Sequence, residues 1–341
     1  MKHATRILRI ALLLVLVCVL AGAALFYRLC YVQPLLSGQQ AATIEVAAGK
    51  SLRAVAHDLG AQGVLPHPLS LVLLAHLRGE SNAMRAGEYR IQPGTTVAGL
   101  LAQFVSGRVV LHSLTLVDGW NFSQVFEAIE HDPYLVHTLH GLTPLEVMNR
   151  LGHPKQNPEG MFYPDTYSFS RATTDAAFLQ RAYRMMQTHL NAAWAARAPD
   201  LPYKTSYDAL IMASVIEKET GQAAERAQIA GVFVRRLQKN MKLQSDPTVI
   251  YGLGNAYTGD ITSRNLRTDT PYNTYTRHGL PPTPICMPPL AAIQAALHPA
   301  PGDALYFVAR GDGTHQFSAT LAEQNAAVQK YQLTHRGRRN K

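Results

Sequence analysis

An uncharged stretch near the N-terminus places the strongest constraint on how this chain can fold. The eighteen residues from Ile10 to Tyr27 include no Asp, Glu, Lys or Arg. As a helix rising 1.5 Å per residue they would span about 27 Å, close to the thickness of the hydrocarbon core of a bilayer. The stretch therefore predicts a helix that crosses a membrane.

The charges before this stretch predict its orientation. Lys2, Arg6 and Arg9 precede it, and basic residues flank membrane helices on the cytoplasmic side. The first residues are then cytoplasmic and everything after Arg28 lies outside. The small residues Ala21-Gly22-Ala23 also fit a signal-peptidase site, so a cleaved signal peptide stays open as an alternative to the retained anchor. Both interpretations place the body of the protein outside the cytoplasm.

Composition limits the remaining classes. With 341 residues, 47% hydrophobic and 16% charged, the chain is predicted to form two folded units besides the anchor. The net charge of +9 is scattered except in a terminal run, Arg336 to Lys341, so a nucleic-acid partner is not predicted. The three cysteines, Cys18, Cys30 and Cys286, lack the spacing of metal ligands, and no metal site is predicted.

Three segments share one pattern of residues. Each has two apolar residues in alternation, then a glycine, a small polar residue and an apolar period typical of a helix. The glycine and the polar residue are Gly49 and Ser51, Gly94 and Thr96, and Gly119 and Asn121. Each segment predicts a strand, a turn and a capped helix. The first two segments resemble the LysM glycan-binding fold, which would make this region a module that holds a ligand.

One predicted helix carries the strongest candidate for chemistry. Residues 206–220 have helical periodicity, with Thr205 and Asp208 spaced as a capping box and Gly221 as the stop. On a helical wheel Glu219 falls within the apolar fan, and Glu217 lies nearly opposite. Apolar surroundings and the negative end of the helix dipole disfavour an ionised carboxylate, so we predict a raised pKa for Glu219. Pairing with a buried cation is the alternative role.

Three further segments suggest a carbohydrate site. Residues 157–165 form a predicted loop in which Phe162 and Tyr163 either line a sugar site or pack beneath the loop. Residues 243–252 show little helix propensity, and residues 271–282 form a loop rich in Tyr, Asn, Thr and Pro. Aromatic rings stack on sugars while amides and hydroxyls bond their OH groups. The candidate substrate contacts, for which loop architecture is the alternative role, are Gln244, Asp246, Thr248, Asn273 and Tyr275.

Four ordered motifs resemble those of a known family. They are residues 213–220, residues 243–252, residues 271–282, and His298-Pro299 followed by residues 305–308. They look very like the MltG (YceG-like) endolytic murein transglycosylases, and the likeness runs from the anchor to about residue 332. The resemblance implies that the second glutamate of Glu-Lys-Glu-Thr, here Glu219, is catalytic, and it implies no cofactor.

The resemblance also implies a reaction. Glu219 would protonate the glycosidic oxygen between N-acetylmuramic acid and N-acetylglucosamine within a peptidoglycan strand, and then accept the 6-OH proton to give a 1,6-anhydro end. Termination of nascent strands, with peptidoglycan synthases as possible partners, is the implied role. The alternatives are a hydrolytic muramidase with Asp246 as second carboxylate, and a glycan-binding scaffold without activity.

Together these features predict an α+β chain in the bacterial inner membrane, with a single span, a cytoplasmic N-terminus and a periplasmic body. The body is predicted to hold a LysM-like αβ subdomain and a mixed α/β catalytic domain with a lytic-transglycosylase-like active-site helix. The predicted boundaries are 1–9 for the cytoplasmic N-terminus, 10–27 for the anchor, 40–112 for the LysM-like domain, 113–332 for the catalytic domain and 333–341 for a basic tail.

Overall fold

The computed structural model describes residues 2–36, 38, 40–47 and 49–333 of the chain, with side chains described from residue 6 to residue 332. The predicted basic tail therefore lies outside the described residues, except for the backbone of residue 333. The architecture is a mixture of helices and short strands, as predicted. It divides into two compact units: unit 1 is Met1–His112, Tyr134–Val136 and Ser168–Thr173, and unit 2 is Ser113–Pro133, His137–Tyr167 and Thr174–Lys341.

Unit 1 begins with a long apolar helix that continues into a small αβ fold. The helix meets the length and composition needed to cross a membrane from Arg6 to Val32, and its side chains are exposed over most of that length. Strands β1 and β2 pair antiparallel, with Ile44 opposite Tyr89, and both side chains are buried. The elements are α1 (Lys2–Tyr27), a π-helical turn (Arg28–Val32), β1 (Ala42–Val46), α2 (Leu52–Ala61), α3 (Pro68–Leu77), β2 (Gly87–Ile91) and α4 (Val97–Ser106).

Unit 2 is mainly helical. Its elements include α5 (Phe122–Glu130), α6 (Pro144–Arg150), α7 (Asp175–Ala195), α8 (Ser206–Glu219), α9 (Arg226–Gln238), α10 (Asp246–Leu253), α11 (Ser263–Arg267), α12 (Leu290–Leu297), β5 (Tyr306–Ala309), β6 (His315–Ser318) and α13 (Leu321–Val328). A further two-stranded sheet pairs β3 (Leu111–Thr115) with β4 (Thr166–Ser170). Helix α8 packs against α7, α9, α10 and α12 and so lies at the centre of the unit.

The three predicted strand, turn and helix segments are confirmed. In each of them the glycine has a positive φ, which a residue with a Cβ rarely adopts: +81° at Gly49, +83° at Gly94 and +76° at Gly119. The small polar residue that follows accepts a hydrogen bond from the first turn of α2, α4 or α5. The caps of these helices are therefore readable from the sequence alone.

One expectation about the loops needs correction, and one open alternative is decided. Residues 246–253 form helix α10, although the sequence predicted little helix there. Pro247 is in its first turn, where a missing N–H costs nothing, and Val249 is buried, so packing outweighs weak intrinsic propensity. In the loop of residues 157–165, Phe162 is fully buried and stacks on Phe122, so the packing role of this ring is the correct one.

Candidate active site

Helix α8 carries the candidate acid, Glu219, at its C-terminal end. The capping box is present as predicted: the Asp208 amide donates to the Thr205 hydroxyl at 3.2 Å, and the Thr205 amide donates to the Asp208 carboxylate at 3.0 Å. The helix ends at Glu219, and Thr220 has extended backbone angles. Glu219 is thus the last helical residue, where the negative end of the helix dipole disfavours its charge.

The predicted apolar stripe on α8 is too narrow. Every residue from 209 to 216 is buried, including Ser214, whose hydroxyl donates to the Ile211 carbonyl and accepts from the Ile285 amide at 2.9 Å. Because residues on every side of this helix are buried, the position of a carboxylate on the helical wheel does not by itself distinguish Glu219 from Glu217. The contacts that the two side chains make do distinguish them.

Glu217 forms an ion pair. Its carboxylate lies 3.1 Å from the Arg226 guanidinium, and only 9% of the side chain is exposed. Burial raises the pKa of Glu217, and the charge of Arg226 opposes that rise. This glutamate therefore fills the structural role that the sequence also allowed for Glu219.

Glu219 accepts a hydrogen bond from the Ser245 hydroxyl and is partly exposed to solvent. Burial raises its pKa to about 7; the Ser245 hydrogen bond opposes the rise, the nearby charge of Asp246 adds to it, and Arg236 opposes it. The predicted rise of the pKa is confirmed. A carboxyl that titrates near neutrality can both donate and accept a proton, as general acid and base catalysis requires.

A buried arginine fixes the segment that contains Ser245. Arg236 of α9 donates to the carbonyls of Leu305 at 2.7 Å and Leu243 at 2.8 Å, and to the Gln244 side chain at 3.2 Å. Gln244 has φ of +54°, a strained value for a residue other than glycine. The Ser245 amide in turn donates to the Thr274 hydroxyl at 3.0 Å. The Ser245 hydroxyl is therefore held in place by contacts on both sides.

Three of the predicted substrate contacts border this point. Gln244 and Asp246 are exposed, and Tyr275 is half-buried. The Tyr275 hydroxyl donates to the Asp246 carboxylate at 2.5 Å, which joins the start of α10 to the loop of residues 271–282. Burial and this carboxylate raise the pKa of Tyr275, so the hydroxyl keeps its proton.

The other two predicted contacts, Thr248 and Asn273, are buried and form hydrogen bonds within the protein. Thr248 is fully buried, and its hydroxyl donates to the Ser245 carbonyl at 2.7 Å. Asn273 is 1% exposed, and its amide nitrogen donates to three backbone carbonyls, those of Asn265, Leu266 and Thr268. Both side chains shape the loops around Glu219, which is the alternative role that the sequence allowed for them.

A second buried carboxylate occupies the neighbouring cleft. Glu159 is 4% exposed and accepts hydrogen bonds from the Phe122 amide at 3.1 Å and from the Tyr251 hydroxyl at 2.9 Å. Burial raises its pKa to about 7, and these hydrogen bonds oppose the rise. Glu159 lines a cleft of about 730 Å³, whose walls also include Lys218 and Pro247. Those two residues are the chain neighbours of Glu219 and Asp246, which do not themselves line the cleft.

Ser245, Arg236 and Glu159 were not predicted from the sequence. The burial of Arg236 could have been predicted, because it directly follows the apolar residues of α9. Glu159 had a weaker signal, a carboxylate between Pro158 and Gly160 in a loop that must pack closely. A Cβ on Gly160 would lie 2.5 Å from Pro284, so only glycine fits there. Ser245 had none, since its role depends on a contact with a residue 26 positions away.

The family described as YceG-like matches residues 44–330 of this chain. The chain belongs to the YceG-like family. Its match includes all of α8 and the loops around Glu219. A structure of a YceG-like protein from Listeria monocytogenes superimposes with a TM-score of 0.55 at 27% sequence identity, covering 85% of this chain and 99% of that one.

Named relatives point to one activity. A protein of Bacillus subtilis strain 168 is 29% identical over 337 residues, covering 91% of this chain and 90% of its own length, and is named an endolytic murein transglycosylase. A protein of Streptococcus pneumoniae serotype 2 with the same name is 25% identical over 300 residues, covering 78% of this chain and 54% of its own length. This member of the YceG-like family spans about half of the streptococcal relative.

Proposed function

We propose that this chain is an endolytic murein transglycosylase, a lyase that cuts peptidoglycan strands internally. The observation that carries the proposal is Glu219, a half-buried residue at the end of a buried helix, whose carboxyl accepts a hydrogen bond from the Ser245 hydroxyl and has a pKa that burial raises to about 7. The names of the relatives from Bacillus subtilis and Streptococcus pneumoniae support the same activity.

In the proposed reaction one carboxyl acts first as a general acid and then as a general base. Glu219 donates its proton to the glycosidic oxygen as the bond from that oxygen to the muramoyl C1 breaks. The carboxylate then takes the proton of the muramoyl 6-OH as O6 bonds to C1. The product is a 1,6-anhydro ring, Glu219 regains its proton and no water is consumed. Because the nucleophile belongs to the sugar, a second catalytic carboxylate is not needed.

Asp246 supports the hydrolytic alternative, because it is a carboxylate close enough to raise the pKa of Glu219. Its hydrogen bond from Tyr275 favours a different role. An aspartate that holds a tyrosine hydroxyl can orient that hydroxyl toward a sugar without activating water. We therefore propose Gln244, Asp246 and Tyr275 as substrate contacts, and Thr248 and Asn273 as the residues that support them.

We also propose the predicted organisation of the chain: a cytoplasmic segment, an inner-membrane anchor, a LysM-like domain at 40–112 and a periplasmic catalytic domain at 113–332. The apolar helix of residues 6–32 supports the anchor. The order β1, α2, α3, β2 with an antiparallel strand pair supports the LysM-like assignment. The buried helix α8 with its terminal glutamate supports the lytic-transglycosylase-like site.

Product mass tests the reaction. Purified peptidoglycan is digested with the full chain in detergent, in parallel with Glu219→Gln, and the fragments are analysed by mass spectrometry. We expect fragments with 1,6-anhydro ends from the parent protein and none from the variant. Fragments heavier by one water would make the enzyme a muramidase. An absence of fragments from both proteins, with retained binding to glycan, would make it a scaffold.

The biological role we propose is the termination of nascent strands beside peptidoglycan synthases. An anchored enzyme meets glycan where it leaves the membrane, which supports this role. Cells are labelled with a radioactive precursor, and anhydro ends are counted with and without a synthase inhibitor. We expect the inhibitor to reduce newly labelled anhydro ends. Unchanged labelling of these ends would contradict the role.

A further inference from the structure

Helix α3 in unit 1 is apolar on the side that it turns to solvent. Leu69, Leu73 and Leu77 are 79%, 48% and 66% exposed. Residues four apart on a helix lie one above the other, so the three leucines form one stripe. On the opposite side Leu71 and Leu74 are buried in the core of the unit. A helix that is apolar all round is normally covered on every side, so the stripe calls for a partner.

The same helix packs against the end of the apolar anchor. Helix α1 continues into the π-helical turn, where Cys30 is fully buried and its thiol lies 3.9 Å from the Ser70 carbonyl of α3. At the other end of α3, Arg78 donates to the Tyr31 hydroxyl at 3.1 Å. The anchor is therefore built into the core of unit 1 and holds α3 alongside it.

This packing places α3 beside the end of the anchor. Arg28 is the first charged residue after the uncharged stretch, so it marks the outer boundary of the hydrocarbon core. Cys30 is two residues further, about 3 Å along a helix. The polar interface of a bilayer is thicker than that, about 5–8 Å on each side. Tyr27 and Tyr31 stack with ring centroids 5.1 Å apart at this level, as aromatic residues do at membrane interfaces.

A groove beside the stripe combines an apolar wall with a polar and basic edge. Its volume is about 960 Å³; its α3 wall includes Leu69, Val72 and Leu73, and Arg53 lies at the start of α2. Its polar edge is formed by Lys50, Ser51, His76, Ser81 and Asn82, and the Lys50 ammonium is paired with Asp58 at 2.6 Å. Among the described residues that line the groove there is no Phe, Tyr or Trp, the side chains that stack on sugar rings. An apolar wall with an arginine and hydrogen-bonding groups at its edge suits an acyl chain below an anionic headgroup.

We infer that the leucine stripe of α3 and the adjoining groove lie in the outer surface of the bilayer, so that unit 1 is seated on the lipid. The inference rests on the proposed anchor and is independent of the proposed reaction. A LysM-like fold would suggest that this face of the domain binds glycan, whereas the inference makes lipid its partner. Unit 1 then acts as a seat on the membrane.

A depth-sensitive probe on the stripe tests this inference. The full chain carrying Cys18→Ser and Leu73→Cys is labelled with an environment-sensitive fluorophore and reconstituted into vesicles of phosphatidylethanolamine and phosphatidylglycerol. Cys30 and Cys286 are buried and stay unlabelled. The matched control is Leu111→Cys, because Leu111 belongs to the same unit, is 62% exposed and lies on β3. Flotation of the vesicles first establishes that the chain is bound.

We expect the emission of the label at position 73 to shift to the blue and to be largely quenched by lipids with nitroxide-labelled acyl chains. The label at position 111 should keep the emission it has in water. A chain that floats while its position 73 label stays unquenched would overturn the inference and leave the anchor standing. A change at position 73 only on addition of glycan would assign the groove to sugar, and one that grows with protein density would assign it to a second copy. A chain that fails to float would overturn both proposals.

Discussion

Burial raises the pKa of two glutamates in unit 2 to about 7, but the protein uses their oxygens differently. Glu159 accepts hydrogen bonds on both carboxylate oxygens, from the Phe122 amide and the Tyr251 hydroxyl, and is almost fully enclosed. Glu219 is bonded to the Ser245 hydroxyl, and part of the residue faces solvent. The two environments therefore produce the same pKa with different amounts of unused hydrogen-bonding capacity.

The difference shows that a raised pKa does not by itself identify a catalytic acid. Glu159 joins the start of α5 to α10, because Phe122 begins one helix and Tyr251 belongs to the other. A group engaged in this way has little left to offer a substrate. Glu219 keeps lone pairs for a proton in transit, which is what a general acid and base needs. We therefore propose Glu219 as the catalytic residue and Glu159 as an architectural one.

The largest effect that distinguishes Glu219 from Glu159 is expected for Glu219→Gln. Glutamine keeps the shape and can accept the hydrogen bond from Ser245, but its amide cannot transfer a proton to the glycosidic oxygen. We expect release of anhydro-ended fragments to fall by about 10²- to 10⁴-fold, the usual contribution of a general acid or base. The thermal unfolding temperature should change little. Activity within a few-fold of the parent would remove Glu219 from the mechanism.

Glu159 should show the opposite pattern. Glu159→Gln preserves an acceptor for the Phe122 amide, and we expect it to retain activity within about tenfold, less than the loss of a general acid. Glu159→Ala leaves that amide without a partner and removes one of the partners of the Tyr251 hydroxyl, which costs about 1–3 kcal/mol of stability. Chemical denaturation measures the cost, and the assay above measures activity. A loss of activity in Glu159→Gln as large as in Glu219→Gln would show that both carboxylates are catalytic.

How far the sequence predicts this site depends on the range of the interactions. Glu217 and Glu219 could be singled out from the sequence because the apolar residues of α8 and the end of this helix lie within a few residues of them, but the contacts that separate the two come from Arg226 and Ser245. The caps at Ser51, Thr96 and Asn121 were predictable for the same reason. Local patterns of this kind depend only on backbone geometry that neighbouring residues share.

The missed features depend on contacts between distant segments. Ser245 reaches Glu219 because Arg236 and Thr274 fix the backbone on either side of it, and neither contact has a local signature. Helix α10 forms because Val249 is buried and the helix packs against α8, although its own residues favour a helix weakly. Thr248 looks like a sugar contact in the sequence, but the fold encloses it. Tertiary packing decides all three cases.

The Ser245 hydrogen bond provides a way to move the pKa of Glu219 without removing the carboxyl. The bond favours the ionised carboxylate and so lowers this pKa. In Ser245→Ala the pKa should rise further above 7, the protonated acid should persist to higher pH, and the alkaline limb of kcat/KM should move up by about one pH unit. Ser263→Ala, an exposed serine outside the site, is the control. If the alkaline limb of kcat/KM did not move, a group other than Glu219 would determine it.

Asp246→Asn should move the same limb in the other direction. The charge of Asp246 raises the pKa of Glu219 and acts less strongly than the Ser245 hydrogen bond. Asparagine removes the charge but can still accept a hydrogen bond from Tyr275. The pKa of Glu219 should therefore fall, the protonated acid should be lost at lower pH, and the alkaline limb of kcat/KM should shift downward by less than the Ser245→Ala shift. Asp260→Asn removes the same charge at an exposed position and serves as the control. If Asp246 were instead the second carboxylate of a muramidase, its replacement would cost about 10²-fold or more at every pH, and no shift of the limb would be needed to describe the data.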